Sequence, residues 1–80
     1  MIAQSDHPYM FEWISNAEHN GGGFIRQFAR AALCADDENY QILRPALSLL
    51  RQKYKQYEPS EEVKEELRPA VEFWIKAQQP

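Results

Sequence analysis

The stretch GFIRQFARAALCA at residues 23–35 decides the fold, because it predicts a helix that is apolar nearly all round. Its apolar residues recur at the i, i+3, i+4, i+7, i+8 spacing that places them on one face of an α-helix. We therefore expect this helix to lie at the centre of a bundle. The stripe consists of Ile25, Phe28, Ala29, Ala32 and Leu33, and the polar exceptions are Arg26, Gln27 and Arg30.

Turn-forming residues bound this central helix on both sides. HNGGG at 19–23 holds every glycine of the chain and separates the central helix from a first helix predicted over 8–18. ADDEN at 35–39 breaks the chain and restarts it as a third helix. The candidate N-caps are Ser5 or Asp6 for the first helix, followed by Pro8 in its first turn, and Asp36 or Asp37 for the third.

The sequence LRPA occurs twice, at 43–46 and at 67–70, each time within a pattern that otherwise predicts a helix. Proline removes a backbone donor, clashes with the carbonyl four residues back and disfavours helical angles in the preceding residue. We therefore expect the last two helices to be kinked or broken at Pro45 and Pro69. Each unit is then a short acidic-capped helix, a bend and an apolar helix. Duplication and chance both explain a four-residue identity.

No stretch alternates apolar and polar residues as a half-buried strand would. The chain 1–80 is short enough for one small domain with a small core. The sequence thus predicts an all-α fold, a compact bundle of about four helices whose apolar faces are all buried in the core. The expected core residues are Phe28, Leu33, Leu47, Leu50, Leu67, Val71 and Trp74.

The net charge of −3 is unevenly distributed, with −3 over residues 1–25, +3 over 26–57 and −3 over 58–80. Two interpretations stay open. In one, the oppositely charged segments face each other within the fold, and the arginines pair with Asp36, Asp37, Glu38 and the glutamates of the last helix. In the other, the basic middle forms a surface for an acidic partner.

No residue pattern predicts catalysis, a cofactor or a metal site. His7, His19 and Cys34 lack the paired spacing of zinc ligands. We expect both histidines to cap helices or lie at the surface, and Cys34 to be buried and inert. The glycines before Arg26 offer anion binding only as a minor alternative. One cysteine, no signal peptide and no membrane span together favour the cytoplasm.

The basic middle of the chain is the candidate binding surface. Arginine is favoured at interfaces because its planar head pairs with carboxylates through two parallel hydrogen bonds. The acidic pI of about 5.3 favours a protein partner, and nucleic acid, on whose bases tyrosines could stack, is the alternative. The candidate partner-binding residues are Arg26 and Arg30 on one helix face, Arg44, Arg51 and Lys55 on the next, and Tyr54 and Tyr57 beside them.

Residues 21–57 combine several short motifs in a fixed order. A Gly-rich turn leads to Phe-Ile-Arg and an Ala-rich helix, followed by Ala-Asp-x-x-Asn-Tyr, Leu-Arg-Pro-x-Leu and a Lys-Tyr ending. The residues concerned are Gly22, Gly23, Phe24, Ile25, Arg26, Ala35, Asp36, Asn39, Tyr40, Leu43, Arg44, Pro45, Leu47, Lys53 and Tyr54.

This pattern resembles a group of short proteins from tailed bacteriophages and prophages. The resemblance implies a phage accessory protein that acts in the bacterial cytoplasm. We expect a non-enzymatic protein, monomer or homodimer, that binds a host protein or protein complex. The most concrete form of this hypothesis is an inhibitor of a host defence complex, of the anti-CRISPR or anti-restriction kind.

Overall fold

The computed structural model describes residues 2–79, and over these residues the chain forms helices without a strand. The predicted small all-α bundle is confirmed, and the first two helices begin at their predicted residues. The α-helices are α1 Pro8–Asn20, α2 Gly23–Cys34, α3 Asp37–Lys53, α4 Glu61–Glu66 and α5 Arg68–Gln78. Short 3-10 helices lie at Ile2–Ser5 and Lys55–Tyr57.

Helices α1 and α2 pack against each other more extensively than any other pair of described elements. The α2 face that meets the core carries Ile25, Ala29 and Ala32, and the two alanines allow close approach. The turn between the helices requires a glycine at residue 21. A methyl group there would overlap the Ile25 side chain and the Ala17 carbonyl oxygen.

In three of the helices, a side chain at the N-cap position accepts a hydrogen bond from a backbone N–H of the first turn. Asp36 caps α3 as predicted and accepts a hydrogen bond from the Asn39 N–H at 2.9 Å. Ser60 caps α4. At α1 the cap is His7, whose Nδ1 accepts from the Tyr9 N–H at 3.0 Å, and neither Ser5 nor Asp6 takes this role. Asp6 is occupied by tertiary hydrogen bonds.

The two prolines of the LRPA motif occupy different positions in the structure. Pro45 lies inside α3, which continues through it without a break. Because proline has no N–H, the Gln41 carbonyl lacks its helical hydrogen bond to residue 45. Gln41 and Pro45 are both exposed, so water can donate to that carbonyl instead. Pro69 lies in the first turn of α5, after the break at Leu67. The repeated unit is therefore seen only in the second copy, and the repeat does not impose one local structure.

We expect Pro45→Ala to stabilise the protein by about 1–2 kcal/mol, because it restores a helical hydrogen bond and removes a clash inside α3. The gain is reduced by the greater freedom of the unfolded chain. Pro69→Ala is the matched control and should give no gain, because proline suits the first turn of a helix. Thermal unfolding followed by circular dichroism measures both, and equal effects would contradict the different placement of the two prolines.

The core lies mainly among α1, α2 and one face of α3. Its largest fully buried side chains are those of Trp13, Ile14, Tyr40 and Leu47. The predicted core list is correct for Leu47, whereas the other six residues are only partly buried: Phe28, Leu33, Leu50, Leu67, Val71 and Trp74.

Helices α4 and α5 bury no residue completely. Helix α5 lies against the N-terminal segment, where Trp74 Nε1 donates to the Ser5 carbonyl at 3.1 Å and the Trp74 ring meets the His7 ring. Phe73, about 100° around the helix from Trp74, is exposed. The last two helices therefore cover the edge of the core and do not form its centre.

Candidate interaction surface

Asp6 is the centre of a buried polar network that connects the N-terminal segment to α3. The residue is 8% exposed, and its carboxylate accepts two hydrogen bonds from Arg44, at 3.1 Å from Nε and 3.1 Å from Nη2. The Tyr40 hydroxyl donates to it at 2.8 Å and the His7 N–H at 2.7 Å. Four donors thus converge on one carboxylate.

These donors decide the protonation state of Asp6. Burial alone would raise the pKa of Asp6, but the hydrogen bonds from Arg44, the His7 N–H and Tyr40 outweigh it, so that the pKa lies below the ordinary value of 3.8. Burial, followed by the contact with Asp6, raises the pKa of the Tyr40 hydroxyl. Asp6 is therefore ionised and Tyr40 neutral at pH 7.

A second ion pair fixes the chain where α3 ends. Arg51 donates from Nε and Nη2 to the two carboxylate oxygens of Glu58, at 2.5 Å and 2.9 Å.

The His7 side chain lies near Arg51 and is held in its neutral form. Burial, and then the positive charge of Arg51, lowers the pKa of His7. A neutral His7 fits its observed role, because Nδ1 must be unprotonated to accept the Tyr9 N–H.

A groove runs between α1 and one flank of α3. Its main part has a volume of about 450 Å³ and is lined by Met10, Ser48, Arg51, Gln52, Lys55 and Glu58. A shallower continuation, which shares Met10 and Ser48, adds Gln41, Arg44 and Pro45. We call both parts together the charged groove. It follows α3 from residue 41 to the end of the helix at Lys53, roughly 18 Å at 1.5 Å per helical residue, and reaches Lys55 in the following 3-10 helix.

The structure brings three of the predicted binding residues together and leaves the others apart. Arg44 and Arg51 line the charged groove from one flank of α3, as their helical spacing predicts, and Lys55 lines it from the 3-10 helix after α3, not from the helix face that the sequence predicted. Arg26 and Arg30 lie on α2, where Arg30 pairs with Glu18 at 3.1 Å. Their role in binding a partner stays a prediction.

The two tyrosines of the predicted binding set pack against the core. Both are half-buried, and their rings stack on each other at 6.3 Å. The carbonyl of Tyr54 accepts a hydrogen bond from Trp13 Nε1 at 2.9 Å, and Tyr57 lies edge-on to the Trp13 ring. These rings therefore contribute to folding.

The arginines pair with carboxylates, but mostly not with the ones that the sequence analysis named. Arg44, Arg30 and Arg51 pair with Asp6, Glu18 and Glu58 respectively. Within residues 2–79 no arginine pairs with Asp36, Asp37 or Glu38, and Arg68 alone pairs with a glutamate of α4 or α5. Sequence reasoning missed the role of Asp6, because an aspartate before a helix equally suits an N-cap.

Two expectations about apolar residues are wrong. Cys34 is exposed, since it points away from the stripe that meets the core. Apolar faces are not all used in the core either, because Phe24, Ile42 and Leu49 are 63%, 69% and 68% exposed. A small domain has too little interior to bury every apolar side chain.

Within residues 2–79, no group of three or more His, Cys, Asp or Glu residues is arranged to hold a metal ion. In the same residues, no helix has the length and apolar character needed to cross a membrane.

Comparison of the chain with protein-family models, with curated proteins and with solved structures gives no match in any of the three.

Proposed function

We propose that this protein is a non-enzymatic binding protein that uses the charged groove to hold an acidic segment of a partner protein. The observation that carries this proposal is the combination of an apolar floor with cations on its walls. Met10 is buried at the floor, and Arg51 and Lys55 line the main part of the groove. Such a groove suits a segment with an apolar side chain flanked by carboxylates.

The cations retain donors for a partner. Arg44 and Arg51 each use one N–H of Nε and one of Nη2 for their internal carboxylate, which leaves both N–H groups of Nη1 and one of Nη2. The side chain of Arg44 is 49% exposed. Lys55 is exposed and makes no ion pair within residues 2–79, so its charge is available to a ligand.

The net charge of the charged groove favours a protein partner over nucleic acid. Two of the three cations are compensated by Asp6 and Glu58, which leaves a net charge of +1 along the groove. Nucleic-acid sites need an excess of cations, because affinity comes largely from neutralised phosphates. Binding of nucleic acid by this face is therefore the weaker alternative.

The identity of the partner protein is the more specific part of this proposal. The resemblance of residues 21–57 to short phage proteins supports a phage accessory protein in the bacterial cytoplasm, with a host protein complex as its target. An inhibitor of a host defence complex, of the anti-CRISPR or anti-restriction kind, is the form that we propose. This part depends on the resemblance alone.

Lys55→Glu tests the groove with little disturbance of the fold. We expect it to change the free energy of unfolding by less than about 0.5 kcal/mol, because Lys55 is an exposed residue without an internal partner, and to abolish capture of the partner. Lys76→Glu, on exposed α5 outside the groove, is the matched control and should capture normally. Arg51→Glu is unsuitable alone, because it also breaks the Glu58 pair.

The measurement is affinity capture from bacterial lysate, with and without nuclease, followed by mass spectrometry. A protein that survives nuclease, binds wild type and Lys76→Glu, and is lost with Lys55→Glu supports the proposal. Nucleic acid recovered alone would favour the alternative. Equal capture by all three proteins would exclude the groove as the binding site.

A further inference from the structure

Helix α3 exposes two large apolar side chains on the side that faces away from the core. Tyr40 and Leu47 are buried, and each is followed two residues later by an exposed apolar residue, Ile42 and Leu49. Two residues correspond to about 200° of rotation, so this second pair lies opposite the buried pair. Ile42 and Leu49 are seven residues apart, two turns of the helix, so both lie on the same outer face of α3.

Charged residues frame this apolar pair with opposite signs. Glu38 lies one turn before Ile42, and Lys53 lies one turn after Leu49. Both are exposed, and neither makes an ion pair within residues 2–79. We call Glu38, Ile42, Leu49 and Lys53 the outer stripe of α3.

The outer stripe is symmetric in sequence about the point between Pro45 and Ala46. Ile42 and Leu49 lie at equal distances from this point, and so do Glu38 and Lys53. A helix with this arrangement is complementary to a second copy of itself in antiparallel orientation. A parallel pair would instead place glutamate against glutamate and lysine against lysine.

We propose that a second copy of this chain binds to the outer stripe, forming a two-fold symmetric dimer in which the two α3 helices pack antiparallel. Ile42 then meets Leu49 of the second copy, and Glu38 meets Lys53 of the second copy, each contact occurring twice as two-fold symmetry requires. Ala46 is small, so the helices can approach closely where they cross.

The surroundings of the outer stripe fit an apolar contact. A cleft of about 320 Å³ lies beside Ile42 and is lined mostly by apolar atoms of Ala31, Ala35 and Leu43, together with Cys34 and Asn39. Side chains of the second copy can enter it. The stripe carries one cation and one anion, so it lacks the basic excess that binding to an anionic lipid surface uses.

The dimer is independent of the proposed function. Arg44 and Arg51 project from a different flank of α3, so a contact along the outer stripe leaves the charged groove open in both copies. The dimer would then present two grooves to one partner assembly.

The first test measures the oligomeric state by sedimentation velocity over a range of protein concentrations. We expect a reversible dimer for wild type, and for Leu49→Asp a folded monomer at every concentration. Gln41→Asp, on the groove side of α3, is the control and should dimerise normally. A wild type that stays monomeric throughout, or a Leu49→Asp protein that still dimerises, would overturn the proposal. Circular dichroism verifies that each variant is folded.

Charge exchange tests the antiparallel register. Glu38→Lys and Lys53→Glu should each weaken the dimer on the order of tenfold, because each places like charges opposite one another twice. The double variant should recover the wild-type dissociation constant to within about threefold, since both pairs are restored with exchanged signs. Single variants without effect, or a double variant no better than the singles, would refute this register.

Cross-linking provides an independent readout in a Cys34→Ser background. Ala46→Cys lies next to the proposed two-fold axis and should form a disulfide-linked dimer rapidly on oxidation. Glu38→Cys should not, because the two introduced thiols are roughly 20 Å apart in an antiparallel pair. Efficient cross-linking at residue 38 and none at residue 46 would indicate a parallel dimer and contradict the proposal.

Discussion

Trp13→Ala is expected to lower the free energy of unfolding by about 3–5 kcal/mol, the range for deleting a large buried aromatic side chain. Trp13 is fully buried, and its Nε1 donates to the Tyr54 carbonyl at 2.9 Å. The substitution therefore leaves a cavity and also removes a hydrogen bond that holds the end of α3 against α1. A domain this small has only a few kcal/mol more than this in total. Urea titration followed by circular dichroism measures the loss.

Trp74 supplies the matched control, since it has the same side chain at the edge of the core. Trp74 is half-buried and its Nε1 also donates to a carbonyl, that of Ser5 at 3.1 Å. Trp74→Ala should cost about 1–2 kcal/mol, because less apolar area returns to water. If the two substitutions cost the same, α5 belongs to the core and the asymmetry of burial described above is wrong.

Local signals in the sequence were sufficient to place most of the helices, although they predicted a break or kink at Pro45, where α3 continues. The stripe on residues 23–35 predicts α2, and three of its five members, Ile25, Ala29 and Ala32, are buried. The cap of α3 at Asp36 is also a local property, because its side chain bonds a backbone N–H three residues on. Helix spacing likewise places Arg44 and Arg51 along one flank of α3, whereas Lys55 lines the same groove from the 3-10 helix that follows α3.

The burial of individual side chains was predicted less well than the helices, because burial depends on how the helices are arranged. Helix α5 has apolar residues on more than one flank, and periodicity does not say which flank meets the core. The same ambiguity explains α3, where Leu47 is buried and Leu49 is 68% exposed. In a small domain several apolar faces compete for a limited interior, and only tertiary packing decides between them.

The partners in the ion pairs also depend on tertiary packing and could not be predicted from the sequence. Asp6 and Arg44 are separated by 38 residues, and Glu18 and Arg30 by 12. No helical spacing connects such positions, so the sequence could indicate only that the basic middle has acidic neighbours. The sequence correctly indicated that the arginines pair within the fold, but it named Asp36, Asp37 and Glu38, which pair with no arginine within residues 2–79, and it missed Asp6 and Glu18.

Asp6→Ala is expected to cost about 2–4 kcal/mol, because it removes the acceptor of four hydrogen bonds and leaves the buried Tyr40 hydroxyl without a partner. The loss stays below that for a fully buried ion pair, since the half-exposed Arg44 can return to water. Asp37→Ala is the control for an exposed aspartate and should cost about 0.5 kcal/mol or less. Equal losses for both would show that the network does not stabilise the fold.

The pH dependence of stability tests the same network in a second way. The pKa of Asp6 is lowered in the folded protein, so its contribution to stability is fully present above the unfolded value of 3.8 and is lost as pH falls through the folded value. Asp6→Asn removes this titration with little change in shape. The difference in unfolding free energy between wild type and Asp6→Asn should therefore be largest above about pH 5 and shrink steadily below about pH 4. Because other carboxylates titrate equally in both proteins, this difference isolates Asp6. A difference that stays constant from neutral to acidic pH would mean that the charge of Asp6 does not hold Arg44 and Tyr40 in place.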